Sequence, residues 1–167
     1  MKLPTFLPAS AAPAAPPLRD VALNMLGALA AIAATGLLGR LSGQPWLMAP
    51  FGASCVLVFA LPDSPLAQPR SVIGGHFLSA LVGFAVLGLF GGGWPAMAAA
   101  VALAIGAMQL TRTVHAPAGA TPLLVLASQP GPAFLFAPVL LGSLAIVAVA
   151  WLANNLRRRG SYPRYWY

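Results

Sequence analysis

The few polar residues that could do chemistry in this sequence lie in or beside apolar stretches. Ser54 and Thr121 each come four residues after a proline, His115 precedes the second of these prolines by two residues, and His76 lies within an apolar run. Hydroxyl groups donate and accept hydrogen bonds, and histidine also exchanges a proton near neutral pH. Ionisable residues within a membrane-spanning segment are functional candidates because their burial is costly. The alternative, which stays open for both histidines, is that the side chain only hydrogen-bonds to a neighbouring helix.

The composition indicates that these residues are surrounded by an apolar protein. Hydrophobic residues make up 59% of the sequence and charged residues 7%, whereas a soluble domain is about 25% charged. Two acidic and nine basic side chains cannot cover a soluble globule of this length. The sequence therefore predicts an integral membrane protein whose outer surface faces lipid.

Six segments are expected to form an all-α bundle. Four apolar runs, at residues 21–39, 72–90, 96–110 and 133–153, are candidate spans, because a helix needs about 20 residues to cross a bilayer core. Two shorter runs, at 46–61 and 115–128, are interrupted by proline and glycine. We expect one transmembrane domain over residues 20–156, a disordered cytoplasmic leader at 1–19 and a basic tail at 157–167.

The positions of the basic residues favour six crossings. If both short segments cross, Lys2 and every arginine except Arg40 lie on one side, and positive charge collects on the cytoplasmic side of membrane proteins. We therefore expect cytoplasmic termini, in a bacterial inner membrane. Nucleic-acid binding is not expected, because the sequence has no basic stripe interleaved with aromatic residues.

An internal repeat relates the two short segments. Residues 48–60 (MAPFGASCVLVFA) align without a gap on residues 115–127 (HAPAGATPLLVLA), with seven of thirteen positions identical. The repeats are expected at 20–91 and 95–153, each as span, broken segment and span. Transporters place substrates at such discontinuous helices, because backbone that is not helical must line a cavity or pack on protein. A tight packing joint between small residues is the alternative.

Four ordered motifs resemble the HPP family of small integral membrane proteins. They are APFGAS at 49–54, SPLAQPR at 64–70, GGH at 74–76 and HAPAGAT at 115–121. The resemblance covers roughly residues 20–153, although the His-Pro-Pro motif of the family reads His115-Ala116-Pro117 here. It implies a membrane protein of four to six spans, and plastid and cyanobacterial members are associated with nitrite transport.

The preferred hypothesis is a path for a small monovalent anion such as nitrite. Two short helices would begin after the prolines, and helix N-termini present free N–H groups that suit anions. The substrate-binding candidates are Gly52, Ala53, Ser54, His76, His115, Gly119, Ala120 and Thr121. Gln68, Arg70 and Arg112 are expected to flank the path, although the two arginines could instead reach towards lipid headgroups.

Other classes of function stay open at this point. A non-transporting scaffold subunit is the main alternative, and a b-type haem protein or an intramembrane hydrolase is less favoured. We expect no enzyme activity, no metal site and no cofactor. The expected partners are a small anion, the lipid bilayer and further copies of the chain in a homo-oligomer. Cys55 is the only cysteine, so no disulfide forms within the chain.

Overall fold

The computed structural model describes residues 13–166, which form helices and connecting loops without a β-strand. The six α-helices are α1 (Leu18–Ser42), α2 (Ala49–Cys55), α3 (Pro69–Phe90), α4 (Trp94–Leu110), α5 (Thr121–Ser128) and α6 (Leu141–Arg157). Short non-α turns extend them. A π-helical turn at Val56–Ala60 follows α2, 3₁₀ turns at Pro65–Ala67 and Ala116–Ala120 precede α3 and α5, and turns at Pro132–Leu135 and Phe136–Leu140 precede α6.

Prolines fix where most of these helices begin. A proline occupies the first or second helical position of α2, α3, α4 and α5, and of the turn at Ala116–Ala120. These positions need no backbone N–H, and the proline ring already holds a helical φ. Prolines that interrupt apolar runs in the sequence are therefore starts of helices in the fold.

The predicted all-α integral membrane bundle is confirmed. Leu18–Ser42, Pro69–Phe90 and Pro132–Arg157 are long and apolar enough to cross a membrane, whereas α4 and the two broken segments are shorter. Residues 1–12 of the predicted leader lie outside the described residues. Leu18 and Arg19, which were assigned to that leader, form the start of α1.

The last span is not the continuous helix that the apolar run at 133–153 predicted. Ala137 has non-helical backbone angles (φ −132°, ψ 113°), and the α-helix begins only at Leu141. Pro138 explains the break, because proline lacks an N–H and disfavours the α conformation in the residue before it. The second repeat therefore contains two interruptions.

One end of the bundle, here called the basic end, contains the start of α1, the loops at 61–68 and 111–115, and the C-terminal residues. Contacts that join these parts run from Arg157 to the backbone oxygen of Asp20, from Tyr162 to that of Ala67, and from Arg70 to that of Thr111. Among the described arginines, only Arg40, near the end of α1, belongs to the other end.

The opposite end contains the three remaining connections. A cavity of about 170 Å³ there is lined by Gln44 and Pro45 from one loop and by Pro130 and Gly131 from another, and Gly92 of the third loop lies beside Gln129. Because consecutive loops alternate between the two ends, the chain passes through the bundle six times, as the arginine distribution predicted.

The internal repeat is visible in the bounds of the helices. The sequence alignment pairs residue 49 with residue 116. The broken segment at 49–60 therefore corresponds to 116–127, and helical structure is found at 116–128. The same offset places Pro69–Phe90 over 136–157, where the helical turn and α6 lie. With three passes in each half, the repeats are inverted relative to each other.

Close packing at one repeat-related glycine gives a test of the fold. A Cβ added at Gly142 in α6 would lie 2.7 Å from Cζ of Phe51. We expect Gly142→Ala to lower the free energy of unfolding by about 1–3 kcal/mol, because overpacking displaces the ring. The matched control is Gly106→Ala in α4, whose Cβ would meet nothing within 4 Å. Thermal unfolding in detergent measures both, and equal midpoints would contradict the packing.

The C-terminal tail folds back onto the basic end. Tyr162 is buried and donates its hydroxyl hydrogen to the backbone oxygen of Ala67 at 2.8 Å, and burial raises the pKa of this phenol. Asp63 pairs with Arg164 at the surface. The position of the tail was not evident in the sequence.

Candidate functional site

Four polar side chains meet in one enclosed cluster. Oγ of Ser54 lies 2.8 Å from Nε2 of His76 and 2.8 Å from Nε2 of His115. Nδ1 of His76 lies 2.9 Å from Oγ1 of Thr121, and Nδ1 of His115 lies 2.7 Å from the backbone oxygen of Leu66. Ser54, His76, His115 and Thr121 each have 0% relative exposure. The substrate-binding candidates that carry polar side chains are thus brought together.

Both repeats contribute to this cluster. Ser54 of α2 and Thr121 of α5 occupy equivalent repeat positions, and the two ring nitrogens of His76 bridge their hydroxyl groups. The position of His115 depends on Gly75, where an added Cβ would lie 2.7 Å from Cβ of His115. His76 lies seven residues into α3, which is about 10 Å from the basic end of that helix at 1.5 Å per residue.

The hydrogen bonds define one proton arrangement when both histidines are neutral. A carbonyl oxygen only accepts, so Nδ1 of His115 donates to Leu66 and Nε2 of His115 carries no proton. Ser54 then donates its single proton to His115. Nε2 of His76 donates to Ser54, and Nδ1 of His76 accepts from Thr121. The proton donors therefore point in one direction, from Thr121 through His76 and Ser54 to His115.

A second acceptor beside Ser54 lets the cluster take up one proton without losing a hydrogen bond. Oγ of Ser54 also lies 3.1 Å from the backbone oxygen of Pro50. When Nε2 of His115 is protonated, it donates to Ser54, whose own proton turns towards Pro50. The Ser54 oxygen then accepts from both histidines, using its two lone pairs. Serine is well suited to this position because it both donates and accepts.

The assignment predicts different tautomers for the two histidines. The sequence contains only two histidines, so a ¹⁵N-histidine spectrum of untagged protein has one signal set for each. At a pH where both are neutral, we expect one ring protonated at Nδ1 and the other at Nε2, because Leu66 and Ser54 impose opposite roles. Two identical tautomers would contradict the hydrogen-bond assignment.

The backbone candidates of the broken segments lie further out. Gly52, Ala53 and Ala120 are exposed on the outer face of the bundle, and Gly119 is half-buried. A Cβ at Gly52 or Gly119 would meet nothing within 4 Å. The side chains that follow them, Ser54 and Thr121, turn inward. The broken segments thus present small residues outward and hydroxyl groups inward.

The three residues expected to flank a path differ in what they contact. Gln68 is buried, and its amide donates to the backbone oxygens of Pro62 and Ser64 while its oxygen accepts from the N–H of Arg164. Its polar atoms are therefore used in holding the loop and the tail. Arg112 is exposed in the loop after α4 and has a positive φ of 58°.

Arg70 borders an open cleft at the basic end. The cleft has a volume of about 430 Å³, and Thr111, Thr113 and Gly74 also line it. Arg70 donates from Nη2 to the backbone oxygen of Thr111 at 2.8 Å, and its buried Nε has no hydrogen-bond partner among the described residues. The next residue after Gly74 is Gly75, which packs on His115. A wall residue of the cleft is therefore followed directly by the glycine on which His115 packs.

Two backbone carbonyls of the site were not identified from the sequence. The oxygens of Leu66 and Pro50 accept from His115 and Ser54, but carbonyls are present in every residue and give no signal in a sequence. Gly75 was noticed only within the GGH motif at 74–76, although it sets the approach of His115. The pair Gly74-Gly75 before His76 was the available signal for close packing.

The geometry of the cluster bears on two alternatives, a b-type haem protein and an intramembrane hydrolase. Both Nε2 atoms converge on Ser54, so the space between them is filled by a hydroxyl group, which does not suit an iron held between two axial histidines. The second nitrogen of His76 faces Thr121, whereas a serine hydrolase uses an acid to orient its histidine. The only two acids of the sequence, Asp20 and Asp63, pair with arginines at the basic end.

The fold and the enclosed cluster define an integral membrane protein of inverted helical repeats with a polar site between them. The chain belongs to the HPP family, because the family model of the HPP transmembrane region matches residues 13–163. The resemblance seen in the sequence motifs is thereby confirmed.

Two transmembrane proteins of Dictyostelium discoideum are similar to this chain. One is 43% identical over 129 residues, covering 72% of this chain and 45% of the relative. The other is 40% identical over 130 residues, covering 73% of this chain and 42% of the relative. The chain thus spans less than half the length of these relatives. No solved structure matches the chain.

Proposed function

We propose that this protein transports a small monovalent anion, with nitrite as the first candidate, together with a proton. The observation that carries the proposal is that Ser54 lies between two histidine Nε2 atoms and a carbonyl oxygen. This arrangement accepts a proton while every hydrogen bond is kept. A protonated histidine pair then supplies the positive charge that a buried anion needs.

Coupling to a proton addresses the main physical obstacle to anion transport. A lone charge at membrane depth is costly, whereas an anion with an imidazolium forms a pair without net charge. Hydroxyl and imidazole N–H groups are neutral donors that can also face the anion. Because no arginine or lysine is in the cluster, binding stays weak enough for release.

The proposed route starts at the cleft beside Arg70. Nε of Arg70, which is buried and has no hydrogen-bond partner in residues 13–166, is the proposed donor for an arriving anion. Gly74 and Thr113 separate the cleft from His115. The cluster itself is enclosed, so we assign this conformation to an occluded state. Release requires the broken segments to move, as alternating access between inverted repeats provides.

We further propose that the basic end faces the cytoplasm of a bacterial cell, following the positive-inside rule.

The open surface over Gly52 and Gly119 is proposed to contact further copies of the chain, because small residues let helices approach closely in membranes. Cross-linking of cysteines placed at Gly52 tests this contact. A chain that remains a monomer in lipid would contradict it.

Uptake into proteoliposomes tests the transport proposal. We expect labelled nitrite to enter faster when the outside is more acidic, with smaller rates for nitrate, chloride and formate. Protein-free liposomes measure the leak of the neutral acid that nitrite forms with a proton. Uptake equal to this leak for every anion would contradict the proposal.

A non-transporting scaffold subunit is the second candidate. The complete enclosure of Ser54, His76, His115 and Thr121 favours it, because a fully bonded buried network also holds segments in a unique arrangement. The two candidates differ in one respect. A scaffold tolerates glutamine in place of His115 as long as it folds, whereas a proton-coupled transporter does not.

A further inference from the structure

A groove between α1 and α6 has a composition suited to a lipid. Its volume is about 390 Å³, and it opens to the outside of the bundle. The groove walls are mostly aliphatic along their length and include Leu23, Leu26, Ala30, Val149, Leu152 and Leu156. From Leu23 to Ala30 the wall extends for about 10 Å along α1 at 1.5 Å per residue.

The end of the groove nearest the basic end contains two arginines. Arg19 and Arg157 line this end. Arg157 is held in place, because it donates to Oδ1 of Asn24 at 2.8 Å and to the backbone oxygen of Asp20 at 3.0 Å. The Asp20 carboxylate lies 3.6 Å from Arg157 and offsets one positive charge. Arg19, on an exposed turn, leaves the groove end positive.

We propose that this groove binds one anionic phospholipid, with an acyl chain along α1 and α6 and the phosphate between Arg19 and Arg157. The occupant follows from charge complementarity. A zwitterionic lipid would satisfy the aliphatic walls but would also bring a cationic group to the arginines. A second copy of the chain placed symmetrically on the groove would bring four arginines together, and like charges in close contact repel.

Native mass spectrometry of the detergent-purified protein tests this site with phosphatidylglycerol as the probe and phosphatidylcholine as the comparison. We expect one phosphatidylglycerol per chain to be retained and phosphatidylcholine to be lost at the same collision energy. Arg19→Gln should weaken phosphatidylglycerol binding about fivefold, since one arginine near a membrane surface contributes about 1 kcal/mol. The side chain of Arg19 makes no hydrogen bond to another described residue, so the fold should persist.

The matched controls are Arg159→Gln and Arg40→Gln. Each removes one positive charge outside the groove: Arg159 lies at the basic end, and Arg40 lies at the opposite end of α1. Both variants should retain the lipid. Ala30→Phe keeps both arginines but fills the groove, and it should displace the lipid as well. Equal retention of phosphatidylglycerol and phosphatidylcholine would overturn the proposal. Equal loss of phosphatidylglycerol from Arg19→Gln and Arg159→Gln would also overturn it, and so would unchanged phosphatidylglycerol binding in Ala30→Phe.

Discussion

Replacing His115 by glutamine is expected to reduce acid-driven nitrite uptake by about tenfold or more while leaving most of the protein folded. Glutamine still offers an oxygen to the Ser54 proton, but it cannot become a cation that pairs with the anion. Loss of a charge-assisted hydrogen bond of about 1.5–3 kcal/mol corresponds to a tenfold or larger change in rate. Uptake of labelled nitrite into proteoliposomes, with and without a pH gradient, measures the effect.

The control for this variant is Ser143→Ala in α6. Ser143 occupies the repeat position equivalent to His76, is buried, and donates only to the backbone oxygen of Leu140 among the described residues. We expect its uptake to stay within about twofold of the wild type, since loss of one ordinary hydrogen bond changes stability modestly. If His115→Gln folds and transports like Ser143→Ala, the histidine has no part in transport.

The second large effect is expected for Ser54→Ala. Without the hydroxyl, Nε2 of His76 and Nε2 of His115 both lose the partner that lies 2.8 Å away. A buried polar group left without a partner costs about 1–3 kcal/mol, so the free energy of unfolding should fall by at least that amount. Nitrite uptake should be lost as well, because no group remains to share a proton between the rings.

Ser79→Ala is the matched control for the stability of Ser54→Ala. Ser79 lies one turn after His76 in α3 and is equally buried, and among the described residues its hydroxyl hydrogen-bonds only to the sulfur of Met108, at 3.6 Å. Its removal should change the unfolding midpoint little, because sulfur is a weak acceptor. Equal midpoints for the two variants would show that the Ser54 hydroxyl does not bridge the histidines.

Much of the fold was predictable because lipid imposes strong rules on sequence. The scarcity of charge identified the membrane, and the placement of Arg40 opposite the other arginines identified six passes. The prolines at the starts of α2 and α5 marked the broken segments. The break at Pro138 was missed because apolar composition dominated the run, although the proline itself was the signal.

The site was predictable in its residues but not in its connections. Ser54, His76, His115 and Thr121 were selected because polar groups are rare in this sequence, and all four meet. Their order in the network depends on backbone oxygens and on the close approach at Gly75, which sequence periodicity does not encode. The expectation that Gln68 flanks a path did not anticipate its role in the loop, because the tail that it binds is distant in sequence.

The central claim is that a small anion reaches the two histidines of the cluster. The most direct measurement is a ¹⁵N-histidine spectrum of the untagged protein in lipid, recorded as nitrite is added at mildly acidic pH. We predict that the ring signals of both His76 and His115 shift together and saturate, with imidazolium character growing at His115, and that Ser54→Ala removes this response. Ring signals that stay unchanged over the nitrite concentrations at which uptake saturates would contradict the account.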